Sequence, residues 1–137
     1  MAGVSIRRSI EVVVIVTEQF KQELKAELQL AAEEAQRRIE QMDVQSRRLL
    51  ADLQRTDITQ AMSARRQVEA ERRRGDAVRQ DIQRQIEETD KLEIGSEYPR
   101  GTLEGVVEVN VGDNLIKKLT GAQVVVKDGV VIEVREA

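Results

Sequence analysis

Histidine, cysteine and tryptophan are absent from this 137-residue chain, which has a single phenylalanine, a single tyrosine and a single proline. Without His and Cys it lacks the commonest general base, any thiolate nucleophile, any disulfide and every Ser-His or Cys-His pairing. Carboxylates and lysines would have to carry any chemistry, so an enzyme is not expected. No catalytic, cofactor-binding or metal-binding residue is assigned, and no cofactor is expected. The scarcity of aromatic side chains also rules out a large core built around them. No segment approaches the roughly 20 consecutive apolar residues that cross a bilayer. The apolar run IEVVVIV follows Arg7 and Arg8, but it contains Glu11, is β-branched and lacks a small-residue cleavage site. It therefore reads as a strand and not as a signal peptide. A cytoplasmic protein without membrane contact is the expectation.

What is present in excess is charge, at 34% of residues, together with Ala, Gln, Glu and Arg. That is the composition of long helices, and periodicity divides the chain into three zones. Residues 8–16 alternate as a strand covered on both sides, with Ile10, Val12, Val14 and Val16 on one face and Val13 and Ile15 on the other. Thr17 is then an N-cap candidate, with Glu18 in the first helical turn. A helical stripe follows at Phe20, Leu24, Leu28, Ala31, Ala35, Ile39, Met42, Ser46, Leu49 and Leu53, stepping by about 3.67 residues. A weaker stripe takes in Ile58, Ala61, Val68, Val78, Ile82 and Ile86, interrupted by Arg65, Arg72 and Gly75, and Gly95 is read as the end of this helix. The third zone is β. LEGVVEVNV alternates as a half-buried strand, DNLIKKLTG holds a short helix capped by Asp113 or Asn114, and AQVVVKDGVVIEVRE forms a hairpin. A three-residue loop at Lys127, Asp128 and Gly129 would pair Val126 with Val130, Val124 with Ile132 and Ala122 with Val134. It is preferred because one face is then wholly apolar.

The expected fold class is α+β: a long antiparallel helical hairpin on a small, mostly antiparallel β module formed by an N-terminal strand and C-terminal strands. The segments are 1–17 for the N-terminal strand, 18–94 for the hairpin arm with its turn near 55–59, and 95–137 for the rest of the β module. The reversal is inferred. A straight helix over the arm would separate its ends by about 110 Å, and the first strand could then join a sheet only in another chain. Thr56, Asp57 and Thr59 supply cap-type residues at the midpoint. The alternative is a continuous helix with strands exchanged between two copies.

The order strand, helix, helix, GSE, strand, followed by VEVNVGD and VVVKDGVVIEVR, resembles the YlqD-like family of bacterial proteins. The specific part runs from Gly95 through Val109, Gly112 and Asp113 to Lys127, Asp128, Gly129 and Arg135. The resemblance implies this architecture and brings no catalytic residues.

Arginine outnumbers lysine 16 to 6, and residues 37–84 carry 12 basic against 8 acidic groups. Arg65, Arg66, Arg72, Arg73 and Arg74 are therefore the candidate contacts for nucleic acid or a partner, since Arg suits bidentate phosphate contact. Against this stand interspersed acids, the lack of aromatic side chains for base stacking and a net charge of −3. A solvated helix face is the preferred reading. The Gly112, Asp113, Asn114 turn lacks the ligand count of a calcium loop and the glycine spacing of a P-loop. The expected function is a non-enzymatic protein-interaction scaffold or adaptor that self-associates, as a dimer first, through its arms or sheet edge and takes a protein partner. An RNA- or ribosome-associated factor using the five arginines is the alternative. A chaperone clamp is a further one, since paired helices on a β base are similar in plan to prefoldins.

Overall fold

The computed structural model describes residues 3–136; residues 1, 2 and 137 of the predicted β module lie outside the described residues. In chain order the elements are β1 (Gly3–Ile15), α1 (Glu18–Thr56), α2 (Ile58–Asp90), β2 (Glu97–Asn110), α3 (Leu115–Leu119), β3 (Gln123–Lys127) and β4 (Val130–Arg135). The fold is α+β, with a long antiparallel helical hairpin and a four-stranded mixed sheet to which both ends of the chain contribute. Residues up to Lys21 and from Leu92 onward form one compact unit, and Gln22–Lys91 form the other.

In the sheet unit the strand order is β2-β1-β3-β4. β1 is central because its Val/Ile run is apolar on both faces and can bond along both edges. Val12 pairs with Val124 and Val14 with Val126, in parallel, so the two valine-rich ends of the chain share one sheet. β2 runs antiparallel along the other edge, from Glu97 opposite Ile15 to Asn110 opposite Gly3. Both strands are longer than their hydrophobic patterns. β1 starts at Gly3 instead of residue 8, and β2 at Glu97 instead of Leu103. Backbone pairing in an antiparallel ribbon carries polar positions such as Ser5 opposite Glu108 that contribute no apolar alternation. Pro99, which has no N–H to give, is accommodated because β2 is an edge strand. Val16 lies beyond β1 yet is fully buried, and it extends the ladder: its N–H donates to the Ser96 carbonyl (2.9 Å) and its own carbonyl accepts from the Gly95 N–H (2.8 Å). Gly95 does not end the second helix. α2 stops at Asp90 with Lys91 as its C-cap, and Gly95, at φ 90°, turns the chain into β2.

The β3–β4 hairpin corrects the predicted register. Lys127 pairs with Val130, so the loop is the two residues Asp128 (φ 50°) and Gly129 (φ 82°), both left-handed as a tight primed turn requires. Val126 then pairs with Val131 but Val125 with Glu133, leaving Ile132 as an extra residue in β4. This bulge restores Val124 opposite Val134. The predicted three-residue loop assumed an unbroken ladder, in which the tight turn would have set Val124 against Glu133. One inserted residue removes that conflict.

In the helical unit the reversal needs no glycine or proline. Asp57 adopts an extended conformation (φ −155°, ψ 101°), and its carboxylate accepts the Gln60 N–H at 3.2 Å, capping α2. Pairs across the two helices show the antiparallel register: Lys25 with Asp90 (3.2 Å), Gln36 with Arg79 (3.4 Å) and Asp43 with Arg72 (2.6 Å). As one partner's number rises, the other's falls. The buried seam includes Leu24, Ile39 and Ser46 of α1 and Ala61, Ile86 and Thr89 of α2. Ser46 and Thr89 satisfy their hydroxyls on the carbonyls of Met42 (2.6 Å) and Gln85 (2.8 Å), one turn back.

The α1 stripe is buried or half-buried as its spacing predicts, except at Leu49, which is exposed. The α2 stripe needs correction. Ile58 and Val78 face solvent, while Gly75 sits against Ile39: a Cβ added at Gly75 would lie 3.2 Å from Ile39 Cγ1. Gly75 is thus a seam residue that lets the helices approach closely, and not an interruption.

The remaining caps follow local side-chain chemistry. The Thr17 hydroxyl accepts the Phe20 N–H (3.1 Å) at the start of α1 and donates to Asp128 Oδ1 (2.7 Å) in the hairpin turn. Asn114, and not Asp113, caps α3, accepting the Lys117 N–H at 3.1 Å. Asp113 closes the preceding turn by accepting the Asn110 N–H at 2.8 Å. Tyr98 packs on Phe20, with ring centroids 5.4 Å apart and the rings tilted by 55°.

Candidate functional site

The five arginines singled out by the sequence do not form one patch. At about 100° per residue, Arg66 and Arg73 point away from the seam, Arg65 and Arg72 lie along one flank, and Arg74 lies along the other. Arg72, though half exposed, bridges the two helices, holding both carboxylate oxygens of Asp43 through Nη1 at 2.7 and 2.6 Å. Asp76 lies 3.9 Å from its Nε. Arg73 Nε donates to the Glu69 carbonyl within its own helix, at 3.4 Å. Arg65, Arg66 and Arg74 are exposed. Within α2, Asp76 lies between Arg72 and Arg79 and pairs with both.

The surface that the sequence reading named only as a sheet edge is built mainly by β4. Val130, Val131, Ile132 and Val134, four of its six residues, are all more than half exposed. β4 is also a terminal strand of the sheet, so one of its backbone edges has no neighbouring strand among the described residues. Alternation and register place Val131 and Val134 on the same face as Val126, Val124, Val12, Val14 and Leu103. None of these side chains is fully covered, and Leu103 is more than half exposed. The signal was present in VVIEV, where consecutive apolar residues supply both faces of a strand. A bulge was needed to show which face each takes.

The opposite face is closed by polar chemistry. Arg135 of β4 reaches Glu97 of β2 (2.5 Å), Glu133 (3.2 Å) and Gln123 (3.3 Å), and Gln123 in turn donates to Glu11 (2.9 Å). Val13 and Val125, on this same face, are buried. The Arg135 hydrogen bond holds the Glu97 carboxyl below its ordinary range, and the two glutamates raise Arg135. One residue further along the chain, Glu136 accepts from Arg8 of β1 (2.8 Å), which also donates to the Lys118 carbonyl (3.3 Å) and lowers Glu136 in the same way.

A carboxyl depressed on folding contributes stability that is present above its unfolded pKa and is lost as pH falls through its folded pKa. Acidification below the ordinary carboxylate range is therefore expected to loosen β4, and Glu97→Gln should flatten that part of the acid transition. Backbone hydrogen exchange at Val130–Arg135 measured against pH checks this.

Among the described residues no group of three or more carboxylates is placed to hold a metal ion, and no helix is long and apolar enough to cross a membrane. A concave site on the sheet unit is open to solvent. It has a volume of about 420 Å³, is lined by Ser9, Glu11, Thr102 and Thr120 among others, and converges on no reactive group.

No curated protein matches the chain. A solved structure, described as that of a protein of unknown function from Synechococcus sp. WH 8102, superposes with a TM-score of 0.87 over 98% of this chain and 96% of the other, at 24% identity. That similarity shows the fold. The model of the YlqD protein family matches residues 4–135, essentially from one end of the sheet to the other, and the chain belongs to this family.

Proposed function

We propose that the protein is a non-enzymatic interaction scaffold that self-associates and engages protein partners, in the cytoplasm. The observation that carries this reading is β4, a terminal strand with four exposed aliphatic side chains. Such an edge offers unpaired backbone groups and apolar side chains together, which suits addition of a further strand. Scattering of the five arginines over different helix faces, with Arg72 neutralised by Asp43, favours this reading over phosphate recognition along a nucleic-acid backbone.

Light scattering coupled to size exclusion, run over a wide concentration range, tests it. A mass of two chains or more is expected at the higher concentrations, and a monomer at every concentration overturns the reading. Val131→Lys with Val134→Lys should also weaken capture of extended peptides by the sheet without changing its far-UV spectrum.

A further inference from the structure

The helical hairpin carries a second, separate set of uncovered apolar residues. Leu30 and Val44 of α1 are 66% and 55% exposed. They are spaced by fourteen residues, or four turns, and so lie on one stripe, with Arg37 midway between them. The seam residues Leu24, Ile39 and Ser46 fall on the opposite side of the helix. A shallow depression of about 480 Å³ follows the same stripe, lined by Arg37, Glu40, Gln41, Val44, Gln45 and Arg48.

Charge along the hairpin is segregated. Residues 22–36 and 80–91, its root, hold three basic and eight acidic groups, whereas residues 37–79, its distal part, hold eleven arginines against seven acids. Two such hairpins side by side in parallel set acid against acid and base against base. Turned antiparallel, each basic distal part faces the other's acidic root.

We infer that the outward stripe of α1 binds the same stripe of a second copy, antiparallel, about a two-fold axis beside Arg37. This rests on the self-association proposed above and assigns it to the arms, leaving the β4 edge for other partners. With the axis at Arg37, Leu30 of one copy meets Val44 of the other. Arg48 then lies beside Glu23 and Glu27 of the other copy, and Arg37 is flanked by the second copy's Glu33 and Glu40. Apart from the two Arg37 side chains on the axis, the charged groups brought together here are opposite in sign, which sets register and direction.

Absence of cysteine makes the test direct. Three single variants, Leu30→Cys, Arg37→Cys and Val44→Cys, are prepared in the full chain and oxidised mildly, alone and in pairs. All three positions are exposed, and far-UV circular dichroism confirms that folding is kept. The expected result is a disulfide dimer from Arg37→Cys alone and from Leu30→Cys mixed with Val44→Cys. Leu30→Cys alone should give none, because its two copies would be about 20 Å apart, beyond the reach of a disulfide. Reversing Arg48 to glutamate should weaken the dimer at least tenfold at low salt, with the difference shrinking as salt is raised. Efficient crosslinking of Leu30→Cys with itself would overturn the antiparallel arrangement. Dimer mass with no crosslink from any variant, and no effect of the charge reversal, would overturn the assignment to the arms while leaving the scaffold reading intact. A monomeric wild type would remove both.

Discussion

Val125→Asp is expected to unfold the sheet, while the same substitution at Val131, six residues along the chain, leaves it folded. Val125 is fully buried on β3, next to Val13 of β1 and across from β4. A carboxylate there loses its hydration, and the effective penalty for an unpaired buried charge is on the order of several kcal/mol. Arg135 cannot compensate without leaving Glu97 and Glu133. Small domains are stable by roughly 5–15 kcal/mol, and the buried apolar residues of this unit are few: Val13, Val16, Phe20, Ala122 and Val125. A loss of that size removes most of its margin. Val131 keeps more than half its surface in water, so an aspartate there stays hydrated. Its expected consequence is weaker binding by the β4 edge, with unchanged stability. Urea unfolding of both variants, followed by hydrogen exchange at Val12 and Val14, separates the two effects. Equal destabilisation would mean that β4 is covered in solution by something that the isolated chain supplies.

The second large effect is expected in the hairpin. Ile39→Ala should destabilise it by about 2–5 kcal/mol, the usual range for removing a buried aliphatic side chain. Ile39 is buried, with Gly75 of α2 against it. Gly75→Ala should behave differently in the two backgrounds. In the native chain its Cβ would press on Ile39 Cγ1 at 3.2 Å, opposing the gain of about 1 kcal/mol in helix propensity that alanine brings over glycine. In the Ile39→Ala background the same methyl group enters vacated space, and the gain is realised. The double variant should therefore be more stable than Ile39→Ala alone, by a margin larger than Gly75→Ala shows in the native chain. Helical signal against urea gives all four corners of this cycle. Additivity within a few tenths of a kcal/mol would show that Ile39 and Gly75 do not touch.

Both predictions depend on contacts that differ in how far the chain's own pattern announces them. The run from Ile10 to Val16 is apolar at every position but Glu11, and only a strand bonded along both edges uses such a run. That requirement placed the C-terminal valines beside it and made the intervening residues fold back, with Asp57 available as a cap at the midpoint. Burial along α1 was equally open to reading, because the three-and-four spacing from Phe20 to Ser46 is long and contains few exceptions. In α2 the spacing named Ala61 and Ile86, which are buried, but the contact face also takes in Gly75 and Thr89, and hydrophobic spacing is silent about these two. They were found only by where α1 lies.

What the amino-acid order determined by itself was therefore element type, the α+β class and the union of the two chain ends in one sheet, since these follow from period and from the need to cover both sides of β1. Tertiary structure alone decided the register of β4, the role of Gly75 and the pairing of Arg72 with the other helix. Ile132 enters β4 as an unpaired residue, and one such insertion moves every later side chain to the opposite face at little local cost. Arg72 turns inward because Asp43 stands across from it on the other helix. Such outcomes depend on which backbone lies alongside, a quantity that no local pattern encodes.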